Sequence, residues 1–576
     1  MAICTVHIGL AKEDLVSIYM RRLAAVAAAT ALGLVVAAHQ AAAAPVGVPY
    51  SVFGPTVKII EQRTAPSSQT HATIQGAGNE FVSFQVAFPG NNLGVSLAAG
   101  QALTGPGGTI SNGNMTIYRE VSYSNGPGST ANREIGAWPD ALIPTVDRLY
   151  GEARDAFPVD VPAGEWRTGL VDVHIPPGQA AGGYDGSVVA TDDFGRRSTI
   201  PVHLDVFGFE LPSTSSLRSM FQIGWRTPCD ALYGSACDPF GSADGERRAW
   251  QADTDVARLG LDDRVTIGDP AMQPPIGAND PNFLHYTLPL IDGTANTQLA
   301  GAKLTAVTVG PTWHPMAQAH GFTDRAVLYE SICDEKTMKD EWDACKTVVD
   351  KAREGWPDLP NLMTATIDTA TKWDSNYEIT DILTPVVDYM DSVSGAHAGD
   401  QHHNYDTFRA LPGKQVWLYT SCDVSGCKYT GESDPYYEHP WADYTIDTAA
   451  GQNRAMGWLA YTYGATGELY YATDTKMATA WDDQVYAGGY GDGTLFYPGT
   501  TDRIGGQTPI PLDSLRLKLI RDGHQDYEYL RLAAERGHAD EAYAIAKSLY
   551  PSTHDTDATD TTIDNTRRQL AALITG

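Results

Sequence analysis

The run Ala326-Val327-Leu328-Tyr329-Glu330-Ser331-Ile332, passing straight into Cys333-Asp334-Glu335, decides how this chain is read. Its largely apolar course reads as a buried strand, and two adjacent acids close it. Seven further runs of the same kind follow Leu211-Pro212, giving candidate strands at about 219 to 223, 263 to 267, 303 to 309, 326 to 332, 362 to 368, 386 to 390, 415 to 421 and 467 to 473. Helical stretches separate several of them. The clearest starts at Lys339-Asp340, where Trp342, Cys345, Val348, Val349 and Ala352 recur at helical spacing. The stretch around 268 to 300 reads mostly as loop. Strand, loop and helix in alternation predict parallel β/α units, and eight of them predict a closed (β/α)8 TIM barrel over residues 213–536. In such a barrel the functional groups gather at the carboxyl ends of the strands, which makes Asp334 and Glu335 the leading catalytic candidates.

On the amino-terminal side, residues 45–212 carry short alternating runs, such as Phe81-Val82-Ser83-Phe84-Gln85-Val86-Ala87-Phe88 and Leu170-Val171-Asp172-Val173-His174-Ile175, split by Gly, Pro and Asn turns. This pattern predicts a β-sandwich. On the carboxyl-terminal side the chain turns helical from Leu512. Leu515, Leu519, Tyr527, Leu530, Ala533 and Ala534 can line one inward face, and residues 537–576 form a helical extension. The fold class is therefore multidomain, β plus α/β. Residues 1–44 read as a signal peptide: Met20-Arg21-Arg22 opens a short apolar run, and the small residues 41–44 offer a cleavage site before Pro45. Lys12, Glu13 and Asp14 do not suit such a segment, so a start at Met20 is expected, along with secretion and no membrane span in the mature chain.

The chain has 576 residues with 40 Lys plus Arg against 70 Asp plus Glu, a formal charge of -30. That surface repels phosphate backbones and anionic lipid, so nucleic acid is not an expected partner; a neutral glycan is compatible with it. Processing would remove Cys4 and leave three close pairs, Cys229/Cys237, Cys333/Cys345 and Cys422/Cys427. Disulfides are the simplest reading in an oxidising compartment, since zinc-site Cys-x2-Cys spacing with matching His partners is missing. Asp555 to Asp560 lacks the glycine of a calcium loop, and neither G-x-S-x-G nor H-E-x-x-H occurs, which removes the usual serine-hydrolase and zincin signatures.

Two consecutive carboxylates at the close of an apolar strand disfavour each other's ionisation, and burial disfavours it further. Glycoside cleavage uses such a pair, one acid protonated to donate to the leaving oxygen and the other anionic. Residue type alone also suits a solvated turn in which one acid caps the next helix. Trp225, Trp313, His314, Asp368, Tyr389, Tyr419 and Tyr471 lie at or just past strand ends, as groups able to stack on or hydrogen-bond a sugar. Tyr389 and Tyr419 also suit inward barrel packing, and Trp313 suits a loop anchor.

The order of several segments resembles the family 123 glycoside hydrolases and the large group once labelled DUF4091. Asn79-Glu80-Phe81 with Gln85 is similar to "NE-F...Q", Trp138 to Pro144 to "PD-LIP", and Gly183 to Gly186 to the "G-Y-G" turn. Tyr329 to Glu335 takes the place of the strand ending in "DE", Gly491 to Gly499 resembles "GDG-L-YPG", and Ser514 to Leu530 resembles "S-R...IR-G--DYEYL". The resemblance implies a β-sandwich followed by a catalytic barrel and β-N-acetylgalactosaminidase activity in which the substrate's 2-acetamido group is the nucleophile. It further implies that Asp334 orients that group and Glu335 is general acid and then general base, with no metal or organic cofactor. Lys336 stands where relatives often have Pro. A glycosidase on another sugar, furanosides included, with Asp368 or Asp388 as nucleophile, and a non-catalytic carbohydrate-binding protein are the alternatives. Asp492 and Tyr497 are expected to shape a loop over the barrel mouth.

Overall fold

The computed structural model describes residues 47–61, 64–126, 135–268, 280–425, 427 and 441–576. The export segment expected over residues 1–44 lies outside them. Between residues 51 and 210 two sheets form. The first orders Ser51–Phe53, Glu80–Pro89, Trp166–Ile175, Met115–Ser124 and Ala137–Pro144, all antiparallel. The second orders Ala72–Gly78, Arg197–Glu210, Gly182–Thr191, Asn92–Ala99 and Val159–Val161, with only the first pair parallel.

One core joins the sheets. Val82, Phe84, Val86 and Phe88 enter it from the first, and Tyr184, Val188, Ile200, Val202 and Leu204 from the second. Full burial of each such aliphatic or aromatic side chain contributes about 1.5–3 kcal/mol. The period of two sends Phe81, Ser83 and Gln85 the other way, yet these are buried as well. Phe81 N–H donates to Gln525 Oε1 at 3.0 Å, and Ser83 Oγ donates to Asp172 Oδ1 at 2.7 Å. The outer face of this sheet is therefore covered by the long carboxyl-terminal helix Leu515–Glu535.

Beyond residue 212 a run of parallel pairs appears, beside short antiparallel ones such as Phe496–Gly499 with Ile510–Asp513. Arg218–Phe221 pairs with Gly467–Tyr470, that strand with Gln415–Tyr419, then come Ile382–Leu383 and Leu362–Met363. A parallel bridge from Leu328 to Asn361 leads to Ala326–Val327, which pairs with Val307–Thr308. On the other flank Phe221 bridges to Ile267. Thr266 and Thr305 are linked through side chains, with Thr305 N–H donating to Thr266 Oγ1 at 2.7 Å. The regular strands are shorter than expected. The sixth is Ile382–Leu383 rather than 386–390, because Pro385 cannot donate to a ladder; Val386 keeps one bridge to Tyr419 and Val387–Met390 turns as a 3-10 helix. Asp368 lies in the first turn of the helix Ile367–Trp373, not in a strand.

The helix Leu515–Glu535 starts at Ser514, whose Oγ accepts from Leu517 N–H at 3.2 Å. It does not have the single inward face expected: Arg516, Lys518, Arg521, Asp522 and Asp526 are all buried, while Tyr527 and Ala534 are partly exposed. Buried charges persist only when paired. Arg516 Nε and Nη2 each reach Asp140 at 2.8 Å, Arg521 Nη1 reaches Asp172 at 2.7 Å, Lys518 Nζ reaches Asp263 at 2.8 Å, and Arg454 Nε reaches Asp526 at 2.7 Å. Tyr497 joins the first of these, donating to Asp140 Oδ2 at 2.7 Å, so it ties the β-rich region to the rest rather than shaping the mouth. Helices Ala539–Leu549 and Asp560–Thr575 complete the carboxyl-terminal part.

Candidate active site

Asp334 and Glu335 follow the strand Ala326–Val327 through Tyr329 and the short turn Ser331–Cys333. Cys333 and Cys345 are both fully buried and joined by a disulfide with Cα atoms 5.0 Å apart, which fastens the acidic turn to the helix Lys339–Gly355. Disulfides also join Cys229 to Cys237 and Cys422 to Cys427. Neither acid caps the helix. Glu341 does, accepting from Thr337 N–H at 3.1 Å and Met338 N–H at 3.0 Å, while Trp342 Nε1 donates to Lys336 O at 2.9 Å.

The two carboxyls are held differently. Asp334 Oδ1 accepts from Tyr329 OH at 3.0 Å and from Thr364 Oγ1 at 2.5 Å. Glu335 Oε1 accepts from Tyr419 OH at 2.7 Å. Glu335 has φ 53, a left-handed backbone that costs a residue with a Cβ about 1–2 kcal/mol. Its N–H donates to Thr364 Oγ1 at 2.7 Å. Thr364 immediately follows the strand Leu362–Met363, which the Leu328 to Asn361 bridge places beside the strand carrying the acids.

A cleft of about 200 Å³ opens here, lined by Glu335, Thr364, Thr366, Val386, Tyr389 and Tyr419, with Lys336 and Val424 at its edge. Glu335 as a residue is exposed at this mouth, but its carboxyl is turned in toward the Tyr419 ring. Partial burial of that carboxyl raises its pKa above the usual carboxylate value; the bond from Tyr419 opposes the rise, the neighbouring Asp334 adds to it, and Lys336 weakly offsets it. Burial and the facing Glu335 push the Tyr419 hydroxyl far above an ordinary phenol, so it acts as a donor throughout the physiological range. Burial, Asp388 and Glu335 raise Tyr389 likewise.

The structure therefore brings together Asp334, Glu335, Tyr389 and Tyr419 of the residues picked from sequence. The others stand apart from this cleft. Trp225 packs edge-on against the exposed Phe240 at 5.6 Å between ring centres. Trp313 is buried and packs on Phe283, His314 stacks on Trp356, and Asp368 is exposed on its helix. Tyr471 OH donates to Asp492 Oδ2 at 2.9 Å, and Asp492 also accepts from Tyr470 OH and Cys422 N–H; burial pushes the pKa of this acid up to about 6 against the opposing pull of these three bonds. Burial likewise takes Asp474, which accepts from Gly224 N–H at 3.0 Å, to about 7.

Sequence reasoning missed Tyr329 as a partner of Asp334, and missed Thr364, Thr366 and Asp474. The strand-end rule would have reached Thr364, had hydroxyls been sought as well as acids and aromatics. A larger cavity of about 310 Å³ lies between the first sheet and the last helix. Its Glu80 and Arg567 bond each other and Arg567 also bonds Asp526, so those charges are committed to structure. Among the described residues no group of three His, Cys, Asp or Glu is placed to hold a metal, and no helix is long and apolar enough to cross a membrane.

Residues 316–533 match the glycoside hydrolase 123 catalytic domain. Among solved structures the chain is similar to a family 123 glycoside hydrolase from Clostridium perfringens, described for glycolipid glycan hydrolysis. The two share 12% identity with a TM-score of 0.59, over 92% of this chain and 98% of that one. A family 39 glycoside hydrolase from Bacteroides cellulosilyticus superposes more loosely, at TM-score 0.30 and 10% identity, over 79% of this chain and 82% of that one. No curated protein matches the sequence.

Proposed function

We propose that this chain, a glycoside hydrolase 123-like protein and so a hydrolase of glycosidic bonds, is an exo-acting β-N-acetylgalactosaminidase with a substrate-assisted retaining mechanism. The observation that carries the reading is the pair of adjacent acids, Glu335 lining the cleft with its carboxyl turned inward and its pKa raised, and Asp334 beside it pinned by two hydroxyls, one of them from the cleft residue Thr364. Glu335, protonated, donates its proton to the glycosidic oxygen as the bond to the anomeric carbon breaks. The acetamido carbonyl oxygen of the same sugar forms a bond to that carbon, giving an oxazolinium ion, and Asp334 accepts a hydrogen bond from the acetamido N–H and balances the positive charge. Glu335, now a carboxylate, takes a proton from water as the water oxygen attacks the anomeric carbon. The ring opens to the free sugar, and two inversions leave the configuration retained.

The strand order supports a (β/α)8 barrel over residues 213–536, closing where Thr266 meets Thr305, with a β-sandwich over 45–212 and helices over 537–576. The three disulfides support export of the mature chain after a signal over 1–44. A glycoconjugate, glycolipid glycans included, is the proposed substrate class. Asp388, buried near the Tyr389 and Tyr419 hydroxyls, favours as second reading a two-carboxylate cleavage of a sugar without the acetamido group.

The test is hydrolysis of aryl β-N-acetylgalactosaminides and aryl furanosides by wild type, Glu335→Gln and Asp334→Asn. The expected result is turnover of the acetamido sugar alone. Loss of the general acid should lower kcat about 10²- to 10⁴-fold with binding retained. Undiminished turnover by Glu335→Gln would remove that residue from the mechanism, and cleavage of furanosides instead would move the assignment to the second reading.

A further inference from the structure

We infer that Thr364 is a positioning residue for the hydrolysis proposed above, on which the inference rests: its one hydroxyl holds Asp334 as a hydrogen-bond acceptor and Glu335 in its left-handed turn. The direction of each bond follows from the partners. An amide N–H can only donate, so the bond from Glu335 N–H at 2.7 Å makes Thr364 Oγ1 an acceptor there. The hydroxyl proton then goes to Asp334 Oδ1, 2.5 Å away. Tyr329 OH meets the same oxygen at 3.0 Å. Two hydroxyl donors thus converge on one carboxyl oxygen and fix the orientation of the group. Both fall on Oδ1, so Oδ2 is the oxygen to meet a substrate N–H.

The second task concerns the backbone. Glu335 sits at φ 53, where a side chain with a Cβ is at a disadvantage, and the bond to Thr364 fastens its amide across two chain segments 29 residues apart. The disulfide from Cys333 to Cys345 fixes the same turn from behind. Thr364 is itself buried, 4% exposed, so its rotamer is set by packing. One hydroxyl therefore couples the orientation of the two acids, and a substitution that removes it should disturb both roles at once.

Valine replaces the hydroxyl by a methyl group of similar size, deleting both bonds with little change of shape; serine keeps the hydroxyl. The titratable groups around the pair are Tyr329 and Lys336 from its own segment and Tyr389, Tyr419, Asp388 and Asp423 from the segments packed against it, and neither substitution adds or removes one. The experiment measures kcat and KM for an aryl β-N-acetylgalactosaminide against pH, with the full chain. Thr364→Val is expected to lower kcat roughly 10- to 100-fold, the loss of one hydrogen bond to a charged group, while KM stays within about threefold. Thr364→Ser is expected to restore the rate.

Wild-type kcat in Thr364→Val, with Asp334→Asn inactive, would overturn the inference and leave the proposed reaction standing. Full activity in Asp334→Asn would overturn both. If the valine variant does not fold, Thr364→Cys gives the same reading: a weak thiol donor is expected to give the drop in kcat with KM little changed, and a wild-type kcat there overturns the inference.

Discussion

Replacing Tyr419 by Phe tests the acid assignment most directly, because it removes one donor and keeps the ring that walls the cleft. Tyr419 OH donates to Glu335 Oε1 at 2.7 Å, and that bond opposes the upward shift that burial imposes on the carboxyl. A hydrogen bond to a charged group is worth roughly 1.5–3 kcal/mol. At about 1.36 kcal/mol per pKa unit this corresponds to about 1–2 units. Glu335 stands at an open mouth, where solvent screens the loss, so the lower figure, about one unit, is the expected one. The sign follows from which form the bond serves: it stabilises the carboxylate, so its removal raises the pKa further. In the proposed reaction Glu335 must be protonated to donate in the first step, and the alkaline limb of kcat/KM would report that proton in the free enzyme. The limb should therefore move to higher pH by about one unit. Tyr389→Phe is the control, since Tyr389 influences Glu335 through space and should move the limb less. The assay is kcat/KM for an aryl β-N-acetylgalactosaminide across the full pH profile. An alkaline limb that stays in place or moves down in Tyr419→Phe would show that the group titrating there is not the carboxyl bonded to this tyrosine.

Two further outcomes concern stability. Replacing Cys333 and Cys345 by Ala together removes a cross-link spanning 12 residues. Chain entropy sets the expected loss near 3 kcal/mol, read as a lower Tm with kcat reduced alongside; an unchanged Tm would show that the cross-link does not constrain the chain. Asp474→Asn keeps an oxygen for Gly224 N–H and removes a buried charge. The folded carboxyl titrates near 7 against 3.8 as its ordinary value, so its stabilising contribution is complete below about pH 3.8 and is lost as pH rises through 7. The Asn variant should therefore gain Tm over wild type at mildly alkaline pH and show little gain in acid, and an equal difference at both would contradict the burial argument.

What the sequence makes legible here is whatever a local pattern carries. Alternation predicted the facing sheets before residue 212, and Val82, Phe84, Val86 and Phe88 do enter one core. The rule that function gathers at strand ends led to Asp334 and Glu335; Glu335 lines a cleft past the end of a parallel strand, and Asp334 reaches it through Thr364, which lines it too. The same reading stumbled at 386–390, where hydrophobicity suggested a strand although Pro385 stops the ladder. It also treated Asp140, Arg516 and Asp526 as family signatures without a task. Their task is tertiary: Arg516 finds Asp140 across 376 positions, a distance over which no spacing rule operates.

Thr364 marks the boundary between the two kinds of information. Its place after an apolar strand is written in the chain, but its meeting with Asp334 depends on the pairing of Leu328 with Asn361. Side chains alternate faces along a strand, so a one-residue slip in that register would turn Thr364 away and leave the Glu335 amide and the Asp334 carboxylate without their shared hydroxyl. The acids are named by local sequence, whereas their unlike environments are created by the neighbouring strands, and only the second property separates a catalytic pair from an acidic turn.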